Sequence, residues 1–171
     1  SETGRETDLW AARFDWEGRL VWQRRYGGPA SEDGYAVREE NDGTFYLAGQ
    51  TLSFGAGMND VWVLNVDGRG DILWQKAYGG PRNDVCRSMD IVPGGGALLA
   101  GDTLSFGPGD TETWVFKIDR TGAFVWQRAV GGKGEDWTGD VRADAGGGGL
   151  VVGSHVGRAR DLFLLELSAG G

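Results

Sequence analysis

A spacing of 52 residues recurs along this chain. The Trp-Gln pair stands at Trp22, Trp74 and Trp126, and the same step relates Trp10, Trp62 and Trp114. It also relates the Gly-Gly pairs beginning at Gly27, Gly79 and Gly131, and the single glycines Gly49, Gly101 and Gly153. Thr51-Leu52-Ser53-Phe54-Gly55 returns as Thr103-Leu104-Ser105-Phe106-Gly107. A fixed period near fifty residues means one supersecondary unit copied in tandem, each copy burying a face against the next. Residues present in every copy are therefore first of all packing and turn residues, so the sequence is more informative about architecture than about activity.

The unit from Glu32 to Asp84 reads as four strands. Glu32 to Glu39 is a short extended run that ends at Asn41-Asp42-Gly43, and Asp-Gly between two extended runs is a hairpin signal because Gly accepts a positive φ. Thr44 to Gly49 is a second strand, and the Gly- and Ser-containing segment Ser53 to Asn59 leads to a third at Val61 to Val66. Asp67-Gly68-Arg69-Gly70 turns the chain into Ile72 to Tyr78, and Gly79-Gly80-Pro81 stops that strand. No segment has helical period, so the unit is all-β. Phe45 and Leu47 alternate with Tyr46 and Ala48, and Trp62, Leu64 and Val66 with Val61, Val63 and Asn65. Strands apolar on both faces belong in a sheet covered on both sides.

Composition removes several classes of function. The net charge of −8 argues against nucleic-acid binding and against docking on anionic membranes. No apolar stretch is long enough for a spanning helix, so membrane insertion is not expected. Cys86 is the single cysteine, which excludes an internal disulfide framework. At 171 residues the chain is long enough for one sizeable core, here read as a single repeat domain over 1–171.

The recurring motif is a Gly-Gly pair, an acid a few residues on, then D-G-x-Y/F, the T-x-S-x-G loop and D-x-W followed by D-x-x-G-x-x-x-W. It resembles the roughly fifty-residue β-propeller repeats found in tandem in many secreted bacterial and archaeal proteins, and it parallels the layout of WD-repeat blades. The resemblance covers essentially the whole chain. It implies four-stranded antiparallel blades stacked face to face, a prokaryotic source, and an extracellular or periplasmic setting; it brings no shared chemistry and no cofactor. The expected units are a partial blade over 1–31, blades over 32–83 and 84–135, and a partial blade over 136–171. The ends are alike: Ser1-x-x-Gly4-Arg5-x-x-Asp8-Leu9 matches Ser154-x-x-Gly157-Arg158-x-x-Asp161-Leu162. The third unit departs from the pattern, with Ser154-His155-Val156-Gly157-Arg158 for the T-x-S-F-G loop, Phe163 for Trp and Ser168 for the turn Asp. About three blades per chain are too few to close a ring, which leads to the expectation of a homodimer with six blades, or of a piece of a larger ring. The rival architecture is a β-trefoil, whose lectin members carry Q-x-W; here the order is W-Q and the unit is long.

Candidate ligand-binding residues are Glu32, Asp84, Asp136 and Trp137. The three acids recur at the starts of the first strands, where they would line one mouth of a propeller channel, and carboxylate rings suit Ca²⁺ or a cationic ligand. The plainer account is that each accepts hydrogen bonds from loop amides beside the glycines. Asp15, Asp67 and Asp119 precede turns ending in Gly18, Gly70 and Gly122; a type I turn with a glycine bulge explains all three better than a calcium loop. Six of the tryptophans are periodic and read as core, whereas Trp16 and Trp137 are off-pattern and are where a sugar or a partner would stack. His155 is the single histidine, so any Ser-His-Asp or Cys-His arrangement would have to pass through it, and a solvated loop residue is the simpler reading. Cys86 aligns with Gly34 and Thr138 and reads as a small buried residue. No phosphate-cradling motif opens a helix, no catalytic residue and no metal site stand out, and no carboxylate pair of the glycosidase type is singled out. The expected function is a non-catalytic binding or scaffolding module working through mouth loops. The alternatives are a carbohydrate-binding module using Trp137, and a hydrolase or lyase with a channel-mouth carboxylate site.

Overall fold

The computed structural model describes residues 6–108, 110–157 and 160–171. Ser1 to Arg5 and Arg158, which belong to the two matching terminal motifs, lie outside the described residues. Among the described residues there are thirteen strands and no helix: β1 (Leu9–Phe14), β2 (Leu20–Tyr26), β3 (Glu32–Glu39), β4 (Phe45–Thr51), β5 (Asp60–Val66), β6 (Ile72–Tyr78), β7 (Asp84–Ile91), β8 (Ala97–Thr103), β9 (Glu112–Ile118), β10 (Phe124–Val130), β11 (Glu135–Ala143), β12 (Gly149–Val156) and β13 (Arg160–Leu167). They form four antiparallel sheets in chain order, β1-β2, β3-β4-β5-β6, β7-β8-β9-β10 and β11-β12-β13. The two middle sheets have four strands each, spanning Glu32 to Tyr78 and Asp84 to Val130. The end sheets hold the third and fourth strands of the unit at one end, and the first three at the other.

Each first strand carries a bulge at the same place, shown by register shifts at Gly34/Ala36, Cys86/Ser88 and Thr138/Asp140. Opposite it lie Gly49, Gly101 and Gly153. A Cβ on Gly49 or Gly101 would stand 1.8 Å from the carbonyl oxygen of Asp33 or Val85. The bulge brings the first strand's backbone too close for any side chain, which is why these glycines recur. The turns between third and fourth strands are equally regular. Gly18, Gly70 and Gly122 have φ of +80°, +81° and +73°, and their amides donate to the carbonyls of Asp15, Asp67 and Asp119. Gly171 repeats the arrangement with Ser168.

Consecutive sheets stack face to face. Tyr46, Ala48, Val61 and Val63 of the second sheet form one buried cluster with Cys86, Met89, Leu99, Trp114 and Phe116 of the third. Leu98, Ala100 and Val115, on the other face of the third sheet, pack with Val141, Val151 and Leu167 of the last. Leu9 and Tyr26 of the first sheet meet Leu47, Trp62 and Leu64 of the second. The fourth strands add polar staples. The indole Nε1 of Trp22, Trp74 and Trp126 donates to the carbonyl of Gly68, Arg120 and Ala169, in the turn of the next sheet. Tyr26 and Tyr78 Oη donate to Gly70 and Gly122 carbonyls at 2.7 and 2.8 Å. The Trp-Gln series is thus a set of clasps between sheets. Of the periodic tryptophans, Trp62, Trp114 and Trp126 are buried, Trp22 and Trp74 are half-buried, and Trp10 is exposed on a face of β1 that no sheet of the described residues covers.

Candidate functional site

The recurring acids sit at the joints between sheets. At each joint a residue at the start of a new first strand donates its amide to a carbonyl just ahead of the preceding sheet's third strand: Glu32 to Thr7, Asp84 to Asn59 and Asp136 to Thr111, at 2.7, 2.7 and 2.8 Å. This places the side chains of Glu32, Asp84 and Asp136 inside the joint, and all three are buried. Each folds back on the glycine pair four residues earlier, accepting from the amide of Gly28, Gly80 or Gly132 at 2.9, 2.8 and 3.1 Å. A hydroxyl completes the first two joints, Thr51 Oγ1 donating to Glu32 at 2.8 Å and Thr103 Oγ1 to Asp84. Ser105 Oγ adds a bond of 2.7 Å to Asp84.

A second acid enters each joint from the start of the third strand: Asp8, Asp60 and Glu112, again 52 residues apart. The two acids converge on the first glycine of the pair. A Cβ on Gly79 would lie 1.9 Å from Asp60 Oδ1 and 2.8 Å from Asp84 Oδ2, and one on Gly131 would lie 1.7 Å from Glu112 Oε2 and 2.3 Å from Asp136 Oδ2. The glycine is needed because carboxylates fill the space a side chain would take. Asp60 Oδ2 accepts from the amides of Ala56 and Gly57 at 2.9 and 3.2 Å. Burial holds the Asp60 carboxyl above its ordinary pKa, opposed by those two amides and assisted by the nearby charge of Asp84. These second acids carry the same 52-residue period, which is the signal by which sequence reading could have found them.

The third joint explains the irregular loop. His155 stands 52 residues after Thr103 and takes over its contact: Nδ1 lies 2.8 Å from Asp136 Oδ1. A neutral hydroxyl donor in two joints becomes an imidazole donor in the third. His155 is therefore tied to the joint rather than free in solvent, at the position of a structural donor.

Trp137, the off-pattern aromatic, is half-buried in β11, with Nε1 3.3 Å from Glu135 Oε2. It borders a cleft of about 190 Å³ lined also by Asn59, Asn83, Arg87 and Asp102, and Arg87 Nε is paired with Asp102 Oδ2 at 2.7 Å. Asn59 and Asn83 are bonded to one another across the second joint. This cleft, which Val85 and Leu104 also line, is where the glycan expectation falls. Glu32, Asp84 and Asp136 lie in three separate joints, and among the described residues no three His, Cys, Asp or Glu side chains come together to hold a metal.

The remaining candidates are turn and core residues. Asp67 Oδ1 accepts from the amides of Arg69 and Asp71 at 2.8 and 2.9 Å, and Asp15 and Asp119 do the same in their own turns. These bonds lower the pKa of all three carboxyls, with the Arg19 side chain the largest influence at Asp15 and the Thr121 hydroxyl the largest at Asp119. They cap their own turns, as Asp does where it bonds backbone two residues on. Cys86 is buried, and burial pushes its thiol up to about 12, which makes it an inert packing group. Trp16 is almost wholly exposed in the first turn. No protein-family model and no curated protein sequence matches the chain.

Proposed function

We propose that the chain is a non-catalytic β-propeller module that binds or scaffolds partners through its joint loops, and that a second copy completes its ring as six four-stranded blades. The observation that carries this reading is the repeated joint. The acids that could have served chemistry are buried and occupied with loop amides, hydroxyls and His155, so their work is to hold consecutive sheets in register. Stacked four-stranded sheets of this kind are the building blocks of propellers, which close with four to eight blades. Two middle sheets are whole, and the two end sheets hold five strands between them, those of one more sheet with the third position filled twice. Joining end sheets between two copies removes the open ends, as closed symmetric assemblies do.

The test is the solution mass by light scattering at low micromolar concentration. A two-chain mass is expected; a one-chain mass that persists as the concentration is raised would overturn the ring.

A further inference from the structure

The two ends of the stack leave unlike apolar faces open, and the middle of the same chain shows what covers each of them. In the last sheet, Leu150 and Val152 of β12 and Leu162 and Leu164 of β13 are 42, 41, 90 and 66 % exposed. Their repeat equivalents Leu98, Ala100 and Val115 in the third sheet, and Val61 and Val63 in the second, are at most 1 % exposed, each covered by the following sheet. At the other end, β3 is uncovered because the first sheet has no first and second strands. Val37 is 55 % exposed, while its equivalents Met89 and Val141 are 0 and 1 %. A cleft of about 350 Å³ runs beside it, bordered by Leu9, Ala11, Tyr35, Val37 and Leu47.

The internal joints pair these positions with one another. Ala48 shares a buried cluster with Met89, and Ala100 shares one with Val141. Val152 follows Ala48 and Ala100 in the repeat, and Val37 precedes Met89 and Val141. Val152 beside Val37 would repeat a third time the pairing of positions that these two clusters hold; the two residues stand at opposite ends of the stack, so a second copy brings them together. The strand inventory agrees. Among the described residues β1 pairs only with β2, leaving the edge where a second strand belongs, and β13 pairs only with β12, leaving the edge where a fourth strand belongs. Unpaired edges of this kind are templates for a strand from another chain.

We propose that the final sheet of one copy enters the cleft beside β3 of a second copy, seating the Leu150–Val152 face on Val37 and Leu47 and completing the partner's first sheet head to tail. This rests on the ring reading above and specifies its surfaces. β13 and β1 hold the same repeat position and their flanks share one motif, so β13 of the incoming sheet exchanges with the resident β1 for the place beside β2. Exposed apolar patches of this extent on a folded chain mark interaction sites, and an unlike pair of faces makes a heterologous contact that closes when the rotation allows.

The experiment uses Val37→Arg and Val152→Arg in the 171-residue chain, two exposed positions whose far-ultraviolet circular dichroism should match the parent. By native mass spectrometry the parent is expected at two chains, each variant alone at one, and an equimolar mixture again at two, because one unmodified face remains on each copy. A parent at two chains with both variants also at two would overturn these surfaces and leave the ring reading standing. Variants at one chain whose mixture stays at one would mean that an intact Val152 face on an intact Val37 face does not hold two copies together, and would overturn the head-to-tail pairing. A parent at one chain would remove both.

Discussion

β5 in the middle of the stack and β1 and β13 at its ends occupy one position of the repeat and have opposite surroundings. Every residue of β5 is buried. Trp62 is 1 % exposed on it, and Trp10, at the equivalent place in β1, is 57 % exposed. The local pattern is the same, with alternating apolar residues that suit a sheet covered on both faces. What differs is whether a neighbour exists to cover the second face. A repeat protein's core is a property of adjacency, so identical residues contribute unequally to stability according to their place in the stack.

The sharpest way to break this comparison is to truncate equivalent tryptophans. Trp114→Ala, in the middle, removes a fully buried indole that stacks with Phe116 and Phe106 and is expected to cost about 3–5 kcal/mol in urea unfolding. Trp10→Ala is expected to cost less than about 1 kcal/mol, as for surface sites away from special features. Equal costs would mean that β1 is covered in solution by something other than the faces described above.

A smaller effect separates the third joint from the first two. His155→Ala leaves Asp136 without its ring donor and is expected to cost about 1–2 kcal/mol. His155→Thr restores the donor of the other joints, and its loss should be less than half as large by the same denaturation measurement. If the two substitutions cost the same, the imidazole is not standing in for the hydroxyl.

The smallest effect is a gain. Asp60 has a folded-state pKa above its ordinary 3.8, raised first by burial and then by Asp84. With a raised folded value, folding favours the protonated acid. Stability from this group is therefore present below the unfolded pKa and is lost as pH rises through the folded one. Asp60→Asn keeps an oxygen for the amides of Ala56 and Gly57 and places an NH₂ toward Asp84. It is expected to stabilise the chain by about 1 kcal/mol at pH 7, with the advantage fading as the pH falls towards 3.8. A gain that does not change between pH 7 and pH 4 would rule out relief of the buried charge as its cause.

Much of this was legible from spacing. The bulge glycines, the Asp-to-Gly turns and the four-strand units announced themselves because backbone requirements recur wherever the unit recurs: no side chain fits 1.8 Å from a carbonyl oxygen, whichever copy is considered. The candidate acids were found for the same reason. Their role was harder to see, since a carboxylate aimed at a channel and one folded onto the amide of Gly28 or Gly80 have the same sequence. Asp8, Asp60 and Glu112 carry the same period, but an acid two residues before a Trp shows no target in the sequence, and only the approach to Gly27, Gly79 and Gly131 shows that they share the joints. His155 looked like a break in the repeat and proved to keep its hydrogen bond with a different donor.

The sequence by itself determined the unit: its strands, its turns, its bulge and the residues that must be small, because these depend on contacts within about fifty residues and on the sterics of single backbone positions. Only the tertiary structure decided which faces are closed. Whether Val37 resembles Met89, or Trp10 resembles Trp114, depends on the presence of a neighbouring sheet. That is set by the position of a unit in the stack, a quantity the repeat erases from each unit's own residues.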